Sequence, residues 1–577
     1  MRPRSLWSYL ALLLLLPLPL WAQQPGLNRA LDLERRGEYA AAVQAYRAIL
    51  SRKPADVSAL LGLERSLLPL SRSAEMIPAA QAALAAAPAS STIYGIALRA
   101  WASADRPDSV RSLAERWARM APTEETPYRE WGAAELARQD RAAARAAYLR
   151  GRERLGRPDA MAAELAQLAA AEGDYTSALR EWLLAVRRLP GYHSSAVATL
   201  APAPAQVRPE LLQLLATAPD LQSRRIEAEL RARWGDPLGG YRALAAGLPE
   251  DRVQAVAALR SLLDQVRTLR TPDGKQTEGQ ILEALAARSP EAQAPRFRLE
   301  AARAYAAGGD RAAAKRMLAG LANEGATPAT VSSDAGTTLI GVLLAEGKAE
   351  EAQQRLAELR PTLAADDYDV LRRRLAMAWM RAGDLARADS IVAADTSVDG
   401  LAVRGRILLY RGDLAGAVER FKAAGPYAGD RTEATRRTVF LALLQSIQVD
   451  SFPELGRALL QLEQGDTISA TGGLEHAAAG LPPQQGGAEL HLFAGRLLAA
   501  SGKTADAERL LRAAATHDAP ATAPAAELAL AELLLASKRP TEAIELLEHL
   551  ILTYSSSALV PQARRKLDEA RGAVPKT

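Results

Sequence analysis

The chain contains no cysteine in 577 residues. That absence excludes disulfides, thiolate nucleophiles and every Cys-based metal site. It also excludes a lipoprotein signal, whose lipid is attached to a Cys at the cleavage point. Aromatic residues are scarce as well, at 5% of the chain, which argues against a bulky-cored sheet. Only five histidines occur, His193, His476, His491, His517 and His549. None lies in an HExxH motif and no two stand at helical ligand spacing, so neither a metal nor a cofactor is expected. The phosphate-cradling GxxxxGK(S/T) loop, a strand-led GxGxxG and a GxSxG elbow are all missing. The acidic pairs Glu350-Glu351 and Asp366-Asp367 fall at predicted helix starts or on solvated faces, where they favour the dipole or a cap. No catalytic constellation remains, and the chain is expected not to be an enzyme.

Long apolar runs are also lacking, with one exception at the N-terminus. Arg2 and Arg4 precede the apolar stretch Leu6 to Leu16, which Pro17 and Pro19 interrupt. Leu20-Trp21-Ala22 then offers a small residue for cleavage before Gln23. This layout predicts a secretory signal peptide over 1–22, the apolar run being too short to span a bilayer comfortably. The alternative is an uncleaved anchor. Elsewhere charged residues break every Leu/Ala run, so no further span is expected and the mature chain reads as soluble and exported, periplasmic or extracellular. Peripheral association with the outer membrane is compatible with that address. The formal charge of +5 drops to about +3 once Arg2 and Arg4 leave, too little over such a length to indicate nucleic-acid binding.

What the chain does have is self-similarity. Hydrophobic residues make up 49% of it, enough to bury an extended core, and abundant Ala favours close helix packing. Pro54, Pro88, Pro122 and Pro190 lie on one grid of 34 residues, with Gly156 at the remaining node. Residues 36–54 read RGEYAAAVQAYRAILSRKP and residues 172–190 read EGDYTSALREWLLAVRRLP. Gly37 and Gly173 share one phase, Ala42 and Ala178 another, Tyr46 and Trp182 a third, Pro54 and Pro190 a fourth. The Gly turns the chain sharply out of a first helix. The Ala lets two helices approach, the aromatic fills the space beside it, and the Pro ends the second helix.

This pattern resembles the tetratricopeptide repeat family, whose unit is a helix–turn–helix. The resemblance returns after residue 192 in units whose small residue stands five positions past the turn: Ala314, Ala352, Ala388, Ala417, Ala470, Ala507 and Ala543. It implies an all-α, right-handed superhelical solenoid of about 11–13 repeats. The expected organisation is an N-terminal array over 23–192, divergent helical hairpins over 193–294, a central array over 295–429, an irregular connection over 430–450, and a C-terminal array over 451–572 with a capping helix. Thr271 to Gly279 reads as an exposed loop. ILTYSSSALVPQARRKLDEA near the end is similar to the terminal repeat and cap of bacterial envelope proteins of this family. The repeats run almost to Thr577, so a lysozyme-like domain of the kind borne by soluble lytic transglycosylases is not expected.

The resemblance implies that first helices line a concave face while second helices pack outside. Aligned on their turns, Arg65, Arg99, Arg303, Arg406 and Arg496 share a phase of the first helix, and Arg129 and Arg373 lie one turn earlier. Stacking would make them a basic stripe suited to acidic peptide segments, because Arg binds carboxylates bidentately; the bland reading is that Arg is simply this protein's solubilising residue. Trp101, Trp131, Trp182, Trp379 and Phe421 fall at core phases, and Trp234 stays unassigned. The expected function is a non-catalytic scaffold for protein–protein interaction in a cell-envelope complex. Two alternatives from other classes remain open: an accessory of polysaccharide export or cell-wall assembly that binds an anionic glycan, and a hydrolase with an unrecognised site in 193–294.

Overall fold

The computed structural model describes residues 25–218, 220–322, 329–425 and 431–573; the expected signal peptide lies outside them. The described residues form 32 α-helices and four short 3₁₀ helices, with one isolated β-bridge, Asp413 to Ser451, and no strand. The chain divides into two compact units, Met1–Thr277 and Glu278–Thr577. Each is a stack of helical hairpins.

The hairpin turns are built as the repeat pattern predicts. Gly37, Gly173, Gly309, Gly347, Gly383, Gly412, Gly465 and Gly502 all have φ between +77° and +86°, the left-handed region where a Cβ is costly. Asp105, Gln139 and Lys538 occupy equivalent turns at φ of +49°, +63° and +60°. After several of these residues an Asp caps the second helix. Asp174, Asp310, Asp384, Asp413 and Asp466 each accept from the backbone N–H three residues on, at 2.9 to 3.0 Å. Such a cap is worth about 1 kcal/mol.

Five positions past the turn, Ala42, Ala178, Ala314, Ala352, Ala388, Ala417, Ala470, Ala507 and Ala543 have no solvent exposure. Four further on, Tyr46, Trp182 and Phe421 are equally buried. These side chains form the seam between first and second helices, and the core of each unit follows that seam from hairpin to hairpin.

Two segments differ from expectation. Residues 272–279 are not a loop: they begin the helix Pro272–Arg288, in which Thr277 is fully buried. Pro272 stands at the first helical position, where its missing N–H costs nothing, so the Pro-Asp-Gly signature marks a helix start here. The 430–450 stretch is likewise not irregular over most of its length but carries the helix Arg431–Ser446. The chain then returns through 447–452, where Phe452 donates its N–H to the Gly412 carbonyl at 2.7 Å and Leu414 donates to Asp450 at 2.9 Å. The helix Pro453–Glu463 thereby packs directly on Val398–Arg411. Within 193–294, Gly235 has φ of +93° and Asp236 caps Gly239 at 2.9 Å. The same turn thus persists where the 34-residue grid is lost.

Candidate binding face

The seven singled-out arginines fall into two registers one helical turn apart. Arg65, Arg99, Arg303, Arg406 and Arg496 each stand six residues before a left-handed residue: Ser71, Asp105, Gly309, Gly412 and Gly502. Arg129 and Arg373 stand ten before Gln139 and Gly383. The hairpin geometry therefore places five of them on equivalent turns of their first helices and the other two one turn earlier.

The chemistry of most of them is set by carboxylates on neighbouring helices. Arg65 makes a two-pronged pair with Glu34, at 2.7 and 3.0 Å, and Arg99 does the same with Glu64, at 2.7 and 2.9 Å. Arg129 reaches forward to Glu164 and also meets Glu125 at 2.9 Å. Arg303 bonds Asp334 at 2.9 Å, and Arg373 bonds Asp395 at 3.0 Å. Arg406 differs in kind. Its side chain is only 3% exposed, with Glu463 at 2.7 Å and Glu433 at 3.2 Å. Among the described residues, Arg496 alone of the seven has no carboxylate partner, and it is exposed.

Sequence reasoning missed these carboxylates, although a signal existed. Glu34, Glu64, Glu164 and Asp334 lie 31 or 35 residues from their arginines, which is one repeat. The same spacing joins second helices, with Arg509 to Glu475 at 3.0 Å and Arg539 to Glu508 at 2.7 Å. Each exposed pair contributes about 0–1 kcal/mol; the series staples repeat to repeat. The hydrogen bond from Arg65 holds the Glu34 carboxyl below its ordinary range, and Arg509 does the same for Glu475. Burial alone would raise Glu463, but Arg406, Arg436 and Arg381 hold it low.

The aromatic side chains divide. Trp131, Trp182, Trp379 and Phe421 are buried as expected, and Trp379 donates its indole N–H to Gln353 at 3.0 Å. Trp101 instead is only half-buried, against expectation. Trp234 donates to the Ala201 carbonyl at 2.9 Å under the Arg208 guanidinium. His193 is buried against Glu229 at 2.9 Å, and His549 meets Glu527 at the same distance. Among the described residues no group of three or more His, Asp or Glu is arranged to hold a metal, and no helix is long and apolar enough to cross a membrane.

These features define a class, the array of helical hairpins with a repeated first-helix face. The tetratricopeptide repeat family profile matches residues 498–567, and the turns upstream repeat the register of that segment. The chain is thus an all-α array of helix–turn–helix repeats, of which residues 498–567 match the tetratricopeptide repeat family. A search of curated protein sequences returned no match. Among solved structures, it is similar to Naa15/Naa10 bound to HypK-THB, at 14% identity and TM-score 0.24, covering 94% of this chain and 96% of that one. It is also similar to the pentatricopeptide repeat protein PPR10 in complex with an 18-nt psaJ RNA element, at 16% identity and TM-score 0.27, covering 95% and 93%. The yeast Tom70 structure matches at 12% identity and TM-score 0.20, covering 95% of each chain.

Proposed function

We propose that this chain is an exported, non-catalytic scaffold that holds polypeptide partners in a cell-envelope complex through its first-helix face. The observation that carries the reading is the recurrence of an arginine six residues before the left-handed turn residue, Arg65 and Arg99 in the first unit and Arg303 and Arg496 in the second. Repeats stapled by ion pairs present a preformed surface, so a partner gains many weak contacts at little ordering cost. An acidic segment would bind Arg496 outright and compete with Glu34, Glu64 and Asp334 for the paired guanidiniums. Export rests on the layout of residues 1–22 and agrees with the lack of any thiol to protect.

The test is capture from envelope extract with residues 23–577, beside a variant carrying Arg65→Gln, Arg99→Gln, Arg303→Gln and Arg496→Gln. Arg406 is left alone because it is buried. The expected result is a polypeptide retained by the native chain and reduced at least tenfold by the variant, with unchanged helicity. Equal retention would remove the arginines from the interface, and capture of no polypeptide would sink the scaffold. Export is checked separately by N-terminal sequencing, which should find Gln23 first; an unprocessed cytoplasmic product would refute it.

A further inference from the structure

The first unit carries an open groove of about 700 Å³, inside the size range of small-ligand sites. It lies between the helices Ile77–Ala86 and Pro107–Met120, with Ser91–Ser103 as its floor. Its origin is local. The Ser73–Met76 3₁₀ turn interrupts the hairpin, and the helix after it is IPAAQAALAA, whose alanines reach too little way to fill the space.

Chemistry along the groove is graded. Asp108, Ser109, Ser112, Arg116 and Met120 lie along one face of their helix, over a length of about 18 Å. At the Asp108 end the half-buried Trp101 ring forms the floor. At the other end Arg116 lies 5.5 Å over the Tyr94 ring, itself stacked on Trp117 at 5.3 Å. The side chains of Gln81, Asp108, Ser109 and Ser112 and the Trp101 indole N–H make no hydrogen bond with the protein among the described residues. Leu84 and Leu113 supply apolar wall between them. An indole face with a rim of unspent donors and acceptors matches a ligand that is apolar on its ring face and polar at its edge. A pyranose is such a ligand: its C–H face stacks on an aromatic ring while its hydroxyls reach the rim. A docked peptide helix would need a continuous apolar stripe, which Asp108, Ser112 and Arg116 interrupt.

We infer that this groove binds a short oligosaccharide, with one ring stacked on Trp101 and hydroxyls held by Asp108, Ser109 and Ser112. The site is separate from the first-helix arginines and does not depend on the scaffold reading. The test is calorimetric and tryptophan-fluorescence titration of residues 23–577 with chitotetraose and cellotetraose. Two variants accompany it: Trp101→Leu, which removes the platform, and Ser112→Trp, which fills the mouth from an exposed position. Expected is saturable binding of at least one tetrasaccharide, lost in S112W and weakened at least tenfold in W101L, with the S112W thermal midpoint unchanged. Absence of binding by both sugars at millimolar concentration would overturn the inference. So would binding that S112W leaves intact, or S112W-sensitive binding of an amphipathic helical peptide with no response to either sugar.

Discussion

The Tyr46 ring lies so close to Gly62 that a Cβ built on that glycine would sit 2.2 Å from Cζ, while the phenol donates to Glu34 at 2.7 Å. One aromatic side chain thus reads two consecutive first helices, filling the notch in one and hydrogen-bonding the other. The same notch recurs at Gly132 with Tyr148 and at Gly405 with Phe421.

Gly62→Ala should therefore destabilise. In an exposed helix the change would gain up to about 1 kcal/mol, but here overpacking against a buried ring costs about 1–3 kcal/mol. Replacing Ala178 or Ala417 with Leu should cost a similar amount, since both are fully buried at the helix seam. Urea denaturation decides both. A midpoint that rises for G62A would show that the ring moves aside freely.

Two turn glycines should respond differently to Ala. Gly309 and Gly412 share nearly the same φ, +83° and +86°, but a Cβ meets nothing within 4 Å at Gly309 and Pro453 Cα at 2.5 Å at Gly412. G309A should lose about 1–2 kcal/mol from left-handed strain alone. G412A should lose clearly more, because the returning 447–452 segment must also move. Equal thermal midpoints would contradict the close packing of that return.

The ion-pair ladder makes a pH prediction. The Arg72 and Arg47 guanidiniums lower the Glu75 carboxyl from its ordinary 4.5 to about 2. Glu34, Glu475 and Glu508 are lowered by their own arginine partners. Groups with depressed folded-state values bind fewer protons folded than unfolded, so their contribution is complete above the ordinary carboxylate range and fades as pH falls towards 2. Unfolding midpoints should drop through that window, and less steeply in a Glu34→Gln, Glu75→Gln variant. High salt should lower the neutral-pH midpoint modestly. Identical acid profiles for variant and native chain would rule the ladder out as the cause.

Arg406 should be the least replaceable of the seven arginines. Burial would lower its pKa, but Tyr410, Glu463 and Glu433 outweigh that and keep it charged. Removing one partner of such a cluster strands the other, so Arg406→Ala should cost about 3–5 kcal/mol. Arg406→Met with Glu463→Leu should recover part of the loss. By contrast Arg496→Ala, at an exposed unpaired site, should shift stability by less than about 0.5 kcal/mol. Calorimetric unfolding of all three variants checks the order, and an R406A midpoint near native would contradict the buried network.

Much of the fold was legible because its determinants are local. A Gly, a small residue five on and an aromatic four further specify a turn and one helix seam, all within about ten residues, and Ala314, Ala388 and Ala543 obey them. Legibility fails where a residue's role depends on a distant partner. Trp101 has a core phase, yet stays half-open because a helix some fifteen residues upstream is short and Ala-rich. Thr271 to Gly279 carries turn residues, yet Pro272 opens a helix.

The sequence by itself determined the all-α hairpin array, its register and the two phases that the seven arginines occupy, because each follows from backbone preferences and helical periodicity read within one repeat. Only the tertiary structure decided what those arginines do. Arg65 pairs backward with Glu34, Arg129 pairs forward with Glu164, Arg406 is buried, and Arg496 has no carboxylate partner among the described residues. Nothing in a single repeat tells a guanidinium which neighbour will present a carboxylate within 3 Å. That depends on how consecutive hairpins stack, and stacking is a property of the assembled core.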